Sequence, residues 1–528
     1  MADEIHVKCT SNCTMLREEG NKYYKEGNLQ KSLCFYNASI RHSTLYDHHY
    51  FYAMGNKSAV QFQKGHYDKA IQIISFLKSA AQPEIIAGTN FMDKLEFRFR
   101  KSQSEMKHMK GNKYNELSCH NKLKFPFANN AVKVVVIPAK GRSVISNANI
   151  RSSETIYCLK PFAATLGTSY WCTHCYTCFA LIEESIIVPC DTCCEVQYCS
   201  VKCKNCSIVH NKYECPSINL VKQIGILHLS LVITLKFHAN NNLDELVNFF
   251  CKGPNPICFN SPEKDLVSLL FSTGVREQLL IDCEDTFELM ITHFPVLIKQ
   301  EKSSYLITKK DIKLTLATIA SQIMKNASSI SYYNPKLKEN IFIGSGIYPD
   351  LAIMNHSCYS NTVCLFNGIV VTVKAAYPIK CGSELYNSYG FDFENHTKDL
   401  RQAALKKQYD FLCQCEACLN DWKKDENFRF IQCPNCSQNM TFGVSSIPSH
   451  CQVCLVNTDF VSLINELEIL YKRAFTSFEN NDIQEVLDIM INCSFSQIKL
   501  RILKLPDPLL LDWNDLLKKS LIISDASI

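Results

Sequence analysis

The sequence predicts an α+β chain: one β-rich domain split by a Cys-rich and helical insertion, with helical regions before and after it. Three observations predict this. Strand signals fall in two separated places, 132–158 and 341–388. Between them lie a dense cysteine block at 172–215 and a mostly helical stretch at 216–330. Outside them, 15–110 and 457–528 carry helical patterning. With 528 residues the chain exceeds a single core, because domains run to roughly 100–200 residues.

Composition narrows the class. Hydrophobic residues make up 46%, with only 17 Gly and 17 Pro, so the chain is globular rather than disordered. Fifty-six basic against 51 acidic residues leave +5, too small an excess to imply direct nucleic-acid binding. The start, MADEIHVKCTSNCT, contains no apolar core of a secretory signal. The most apolar stretch, Ile224 to Phe237, includes His228 and Lys236 and falls short of the roughly 20 apolar residues a membrane span requires. A soluble intracellular protein with no membrane segment is expected. In that setting 29 cysteines argue for metal ligands rather than disulfides, although buried cysteines also serve as small hydrophobes.

Residues 15–80 contain an internal echo. KEGNLQKSLCFYNASI (25–40) matches QKGHYDKAIQIISFLK (63–78) at an offset of 38, pairing Gly27 with Gly65 and Ser32 with Ala70. Small residues at such positions let paired helices approach closely. EGNKYYKEGN resembles the start of a tetratricopeptide repeat, with the loop around HSTLYDHHYF carrying the surplus length and the helix near 91–110 as a third unit or cap. A plain helical bundle is the alternative. A polar link follows near 113–130. VKVVVIPAKGRSVISNANI (132–150) then gives two strands around Lys140-Gly141-Arg142, and VCLFNGIVVTV (363–373) gives a hairpin turning at FNG. The helical C-terminal stretch breaks at LPDPLLLDW.

The cysteine block offers Cys172/Cys175, Cys190/Cys193 and Cys199/Cys203, then His210 and Cys215. Zinc takes four tetrahedral N/S donors, so eight candidates imply two ions. Farther on, Cys433, Cys436, Cys451 and Cys454 form two knuckles that close a site of their own. Cys413, Cys415 and Cys418 lack a fourth donor nearby, and Cys358 is the candidate. About four zinc ions per chain are expected. The stretch Asn355-His356-Ser357-Cys358 also admits a Cys–His hydrolase dyad, since residues two apart on an extended segment face the same side.

The cysteine block resembles a MYND finger. That resemblance implies Cys172, Cys175, Cys199 and Cys203 for one zinc, and Cys190, Cys193, His210 and Cys215 for the other. The family places its His four positions before the last Cys. Here Asn211 stands there and His210 sits five before. Either the helix is locally distorted so that His210 still reaches, or a spare thiol such as Cys206 substitutes.

NHSCYSN (355–361), GSELYNSYG (382–390) and YDFLCQCEAC (409–418) occur in that order around a split MYND insertion. Over about 15–455 this resembles the SET-and-MYND class of lysine methyltransferases, in the branch with a tetratricopeptide-like start. The resemblance implies helical repeats at 15–110, a split SET domain at 130–165 and 336–395, and the MYND finger at 172–215. It further implies a helical insertion at 216–335, a post-SET zinc motif at 396–420, zinc-ribbon-like knuckles at 431–456 and C-terminal helices at 457–528. It also implies S-adenosylmethionine as cofactor and a histone or non-histone protein as substrate. Protein partners through the finger and repeats, a monomeric state and a place in nucleus and cytoplasm are implied as well. By the same resemblance Lys140, Gly141 and Arg142 form the first cofactor turn, while Asn326, Asn355 and His356 hold the cofactor. Tyr409 and Phe411 wall the adenine and the lysine channel, and Tyr389 is the catalytic residue.

Methyl transfer to an amine is an in-line displacement, so positioning of a neutral lysine dominates. An aromatic channel disfavours the ammonium form, and a Tyr hydroxyl orients the amine. Asn326 as a helix C-cap and Tyr389 as a packing residue are the plainer readings of those positions. Ser360 replaces the usual Pro, Ser-Ser-Glu (152–154) the first Gly-Glu, and Gly-Ser-Glu (382–384) the usual Gly-Glu-Glu. The chain ends soon after LPDPLLLDWNDLLKKSL, where the family's C-terminal helices run on, so a more open substrate cleft is expected. A weakly active or inactive adaptor built on the same frame is the competing reading.

Overall fold

The computed structural model describes residues 8–80, 90–110, 127–128, 130–138, 140–252, 266, 277–298, 307–334, 337, 339–495 and 503–526. Among the described residues five helices open the chain: α1 (Thr10–Lys25), α2 (Leu29–His42), α3 (His48–Gln63), α4 (Tyr67–Ala80) and α5 (Phe91–Lys110). The sequence echo is a repeated helix stop. Gly27 and Gly65 sit at φ +77° and +78°, where a Cβ is disfavoured. The residue after each donates its N–H five positions back, Asn28 to Tyr23 O and His66 to Gln61 O, both at 2.9 Å. Asn28 and Asp47 then cap α2 and α3. Close approach is enforced at Gly20 and Gly55, where an added Cβ would lie 2.6 Å from Tyr36 and 2.5 Å from Phe91.

Strands β1 (Phe127–Ala128), β2 (Val132–Ile137), β3 (Gly141–Ser146), β4 (Thr155–Leu159) and β5 (Ala163–Leu166) precede the finger. The finger contributes β6 (Val188–Pro189) and β7 (Gln197–Tyr198). Helix α6 (Leu227–Ala239) is the apolar stretch noted above. It buries Leu227, Leu229, Leu231, Ile233, Leu235 and Phe237 together with His228, Ser230 and Thr234, so it is enclosed by protein on nearly all sides. No helix among the described residues is long and apolar enough to cross a membrane. Helix α7 (Lys309–Asn326) starts with a Thr308/Asp311 capping box.

The helical insertion ends at Asn326 rather than near 335. Ala327–Asn334 is strand β8, its Ile330, Tyr332 and Tyr333 pairing with β9 (Glu339–Ile347). Expected helix at 253–265, 267–276 and 299–306, and most of the polar link at 113–130, fall outside the described residues.

Strands β10 (Asn355–His356), β11 (Thr362–Asn367), β12 (Val370–Ala375) and β13 (Glu384–Asn387) complete the split domain. Its sheets run β1-β4-β12-β11, β10-β13-β3-β2 and β5-β9-β8. Each places a strand from before the insertion beside one from after it, so none of the three is completed by one half alone. Helix α8 (Lys398–Tyr409) follows, then hairpin β14 (Phe428–Gln432) and β15 (Asn439–Gly443). The chain closes with helices Phe460–Glu479, Ile483–Phe495 and α9 (Pro508–Ala526). LPDPLLLDW is a break followed by a start, with Pro508 as the first residue of α9. The hairpin and these helices form a second core around Ile431, Leu467, Met490 and Trp513.

The opening helices dock onto the finger. The Tyr50 hydroxyl donates to Ile187 O at 2.8 Å, Asn37 Nδ2 donates to Glu183 O at 2.8 Å, and Lys64 and Lys69 pair with Glu184. Tyr50 is fully buried. Tyr50→Phe therefore strands a buried carbonyl and is expected to cost about 1–3 kcal/mol in chemical denaturation, with secondary structure unchanged.

Candidate active site and metal centres

Among the described residues four groups of donors converge, each with all ligand atoms within 4.8 Å of one another. Four donors at zinc distance on a tetrahedron lie roughly 3.8 Å apart. The observed separations match: 3.6 Å for Cys178–Cys199, 3.7 Å for Cys190–Cys215, 3.5 Å for Cys358–Cys418 and 3.6 Å for Cys436–Cys451. The donor sets fit zinc.

The first group is Cys175, Cys178, Cys199 and Cys203. Cys172, expected in this set, is exposed and stands outside it; Cys178 takes its place. The reason lies in the turn. At Cys433/Cys436 and Cys451/Cys454 the residue after the second Cys, Ser437 or Leu455, has positive φ and donates its N–H to the first Cys carbonyl at 2.9 Å. Phe179 does the same for Cys175, with φ +60° and 2.9 Å. Cys175-x2-Cys178 therefore has the knuckle shape, and Cys172-x2-Cys175, running into Tyr176 instead, lacks it.

The second group is Cys190, Cys193, His210 and Cys215. His210–Glu214 forms a π-helical turn, closed by the Cys215 N–H on His210 O. Such a turn brings residues five apart onto one face, which absorbs the extra residue between His210 and Cys215. His210 Nε2 lies 3.5 Å from Cys190 Sγ and 3.6 Å from Cys193 Sγ, while Cys206 is exposed and outside the group. Buried Glu214 is held by His228 Nε2 at 2.7 Å and the Tyr176 hydroxyl at 3.1 Å. Burial pushes its carboxyl up, but these partners outweigh it and keep it below the ordinary value.

The third group joins Cys358 to Cys413, Cys415 and Cys418. The buried Arg401 guanidinium lies 3.6 Å from Cys418 Sγ and offsets thiolate charge. The fourth is Cys433, Cys436, Cys451 and Cys454.

Beside the third group opens a cleft of about 250 Å³, lined by Asn326, Ser328, Ala352, Asn387, Ser388, Tyr389, Gly390 and Tyr409 among others. Of the sequence-derived candidates, Asn326, Tyr389 and Tyr409 share it. The Tyr389 hydroxyl donates to Met354 O at 2.9 Å, and its ring centre lies 4.7 Å from that of Tyr409. Burial, reinforced by the Tyr409 phenol, pushes the Tyr389 hydroxyl well above the ordinary tyrosine value, so it stays protonated at neutral pH. Asn326 Nδ2 donates to Gln322 O at 3.0 Å; the residue both ends α7 and faces the cleft.

The other candidates support this wall from behind. His356 is buried, with Nδ1 accepting from Tyr389 N at 3.1 Å and Nε2 lying 3.3 Å from Cys358 Sγ. Burial lowers its imidazole to about 4, so it is neutral, with Nε2–H facing the sulfur. A neutral imidazole that spends its acceptor on a backbone N–H, beside a sulfur grouped with three others, is no hydrolase dyad. Phe411 packs 6.5 Å from Tyr389 and 6.3 Å from His356, ring to ring. Asn355 Nδ2 donates to Ser143 Oγ and Glu384 Oε1, each at 2.8 Å, and lies 3.3 Å from Arg142 O. Lys140 Nζ donates to Glu384 Oε2 at 2.8 Å. Gly141, at φ +80°, lets the turn reverse into β3. Lys140, Gly141, Arg142 and Asn355 thus fasten β3 to β10 and β13. Asn387 and Ser388 were not foreseen as lining residues; their only sequence signal is adjacency to Tyr389 in YNSYG.

No protein-family profile matches the chain. Among curated proteins it is 23% identical over 595 residues to the protein-lysine N-methyltransferase SMYD4 of Danio rerio, covering 93% of this chain and 77% of that one. It is 25% identical to the histone-lysine N-methyltransferase ASHR1 of Arabidopsis thaliana (69% and 73% covered) and 24% identical to the N-lysine methyltransferase SMYD2 of Gallus gallus (55% and 61%). Its curated homologues are thus SET and MYND domain-containing lysine methyltransferases. Among solved structures, the SET domain of LSMT bound to lysine and AdoHcy matches at 10% identity and a TM-score of 0.28, covering 76% of this chain and 86% of that one.

Metal analysis separates the two sulfur assignments. Cys178→Ser is expected to lower zinc from four per chain to three, whereas Cys172→Ser keeps all four, matching the four donor groups.

Proposed function

We propose that this chain is an S-adenosylmethionine-dependent protein-lysine N-methyltransferase acting on a histone or another protein. The observation that carries the reading is the Tyr389 hydroxyl in the cleft wall, anchored on Met354 O between the Tyr409 ring and the amide side chains of Asn326 and Asn387. Homology to lysine methyltransferases over 93% of the chain supports it.

The cleft lining fits such a cofactor in kind. Asn326, Asn387, Ser328 and Ser388 offer amide and hydroxyl groups for an amino-acid end, and Tyr409 offers an aromatic face for a purine. S-adenosylmethionine supplies, when bound, a methyl group already activated on a sulfonium. What remains for the protein is to align an uncharged amine. The rings of Tyr389 and Tyr409, backed by Phe411, make a wall that disfavours the lysine ammonium by desolvation. The Tyr389 proton is committed to Met354 O, which leaves the oxygen lone pairs to accept from the incoming amine. His356, bonded to the Tyr389 N–H, fixes that residue's backbone.

With tritiated cofactor and candidate histones or a cell extract, native protein is expected to label substrate. Tyr389→Phe should lose on the order of a hundredfold in rate while still binding cofactor. Cofactor binding by native protein without any labelling contradicts the reading.

A further inference from the structure

The end of α7 brings a cation to the cleft. Lys325 and Asn326, the last two residues of that helix, both line it, and the chain then turns into β8, whose Ser328 and Ser329 continue the lining. The remaining wall includes Cys364 of β11 together with Tyr389 and Tyr409. A lysine in the last turn of a helix gains from the helix dipole, which accounts for a cation at this position. The dipole does not account for its surroundings.

Among the described residues that line the cleft, Lys325 is the one cation and none is an acid. Lys325 is half-buried and forms no ion pair with a described carboxylate. Lys309 and Lys313, on the same helix, do pair, with Glu288 and Glu284. Glu384, the acid behind the Tyr389 wall, is already engaged by Lys140, Asn355 and the Tyr386 hydroxyl. The cleft thus presents an uncompensated ammonium beside two serine hydroxyls, a donor set that suits a carboxylate. Methyl transfer itself makes no use of this charge, because the sulfonium is positive and the incoming amine must be neutral. The cofactor's amino-acid end carries a carboxylate, but its own ammonium travels with it, and the lining holds no acid to balance that. An isolated carboxylate on the substrate fits better.

We propose that Lys325 is a specificity-determining residue that selects substrates carrying an Asp or Glu within two or three positions of the target lysine; the inference rests on the lysine-methyltransferase reading of the cleft. Residues two apart on an extended peptide face the same way, about 7 Å from one another. One side chain can therefore enter toward Tyr389 while the next on that face reaches Lys325. A basic residue at the same place meets Lys325 with like charge and is rejected.

Fluorescence anisotropy with the full chain and S-adenosylhomocysteine tests this. The probes are labelled peptides with one central lysine and Asp, Asn or Lys scanned over the three positions on either side. At the best position native protein is expected to bind the Asp peptide about tenfold tighter than the Asn peptide, the gain of one charge-assisted hydrogen bond. Lys325→Met should erase that preference and Lys325→Glu should turn it toward the Lys peptide, with melting temperatures unchanged. Lys310→Met, on the same helix but outside the cleft, should select as native. Equal binding of Asp and Asn peptides at every position by native protein, or an Asp preference that survives in Lys325→Met, overturns the proposal. So does a loss of S-adenosylhomocysteine affinity in Lys325→Met with peptide selection intact, which makes Lys325 a cofactor contact. A Lys325-dependent Asp preference without methylation of any peptide supports the acid-selecting site and counts against the transferase reading alone.

Discussion

The structure depends most on one cluster of sulfurs. Cys358 leaves the end of β10 and meets Cys413, Cys415 and Cys418 from beyond α8, joining segments more than fifty residues apart. Two thiolates at about 4 Å repel by roughly 4 kcal/mol at an effective dielectric near 20, so four cannot share this space without a cation. Structural zinc binding contributes about 10–16 kcal/mol in small zinc-dependent folds, comparable to the whole stability of an ordinary domain. Arg401, buried against Cys418, offsets part of the remaining negative charge. The cleft inherits this order through His356, whose two nitrogens face Cys358 on one side and the Tyr389 backbone on the other.

The finger and the opening helices are built on the same frame. The insertion leaves the β-domain after β5 and returns through β8, and both strands flank β9. Its second metal centre uses a π-helical turn to bring His210 and Cys215 together. The buried Glu214 beside it binds His228 on α6, tying finger to insertion. On its far side the finger offers Glu183, Glu184 and Ile187 to the opening helices. Metal-held loops therefore join the opening helices to the split β-domain that carries the cleft.

Much of this was legible in the residues. The split β-domain followed from strand signals on either side of the cysteine block. Spacing alone gave the Cys433 group, whose four cysteines converge; the Cys190 set came from the resemblance to a MYND finger, and Cys358 was the candidate for the donor missing from 413–418. The failure at Cys172 has a physical cause. Two overlapping C-x2-C steps share Cys175, and only backbone conformation, the positive φ of Phe179, selects between them. His210 was ambiguous for a similar reason, since letters do not distinguish an α-turn from a π-turn. The strand at 327–334 was hidden because KNASSI continues a helical pattern, and the pairing that overrides it comes from distant β9. Asn355 and His356 do not line the cleft, because the Asn355 amide is spent on Ser143 and Glu384 while His356 faces Cys358 and the Tyr389 backbone, partners that sequence adjacency does not reveal.

The central claim is that the Cys358 centre holds the cleft in working geometry while Cys358 itself performs no chemistry. Cys358→Ser, examined for zinc content and for S-adenosylmethionine binding by calorimetry, tests it most directly. Three zinc ions per chain with cofactor binding and methylation both abolished is the predicted result. Four zinc ions with native cofactor affinity and full activity would contradict the account.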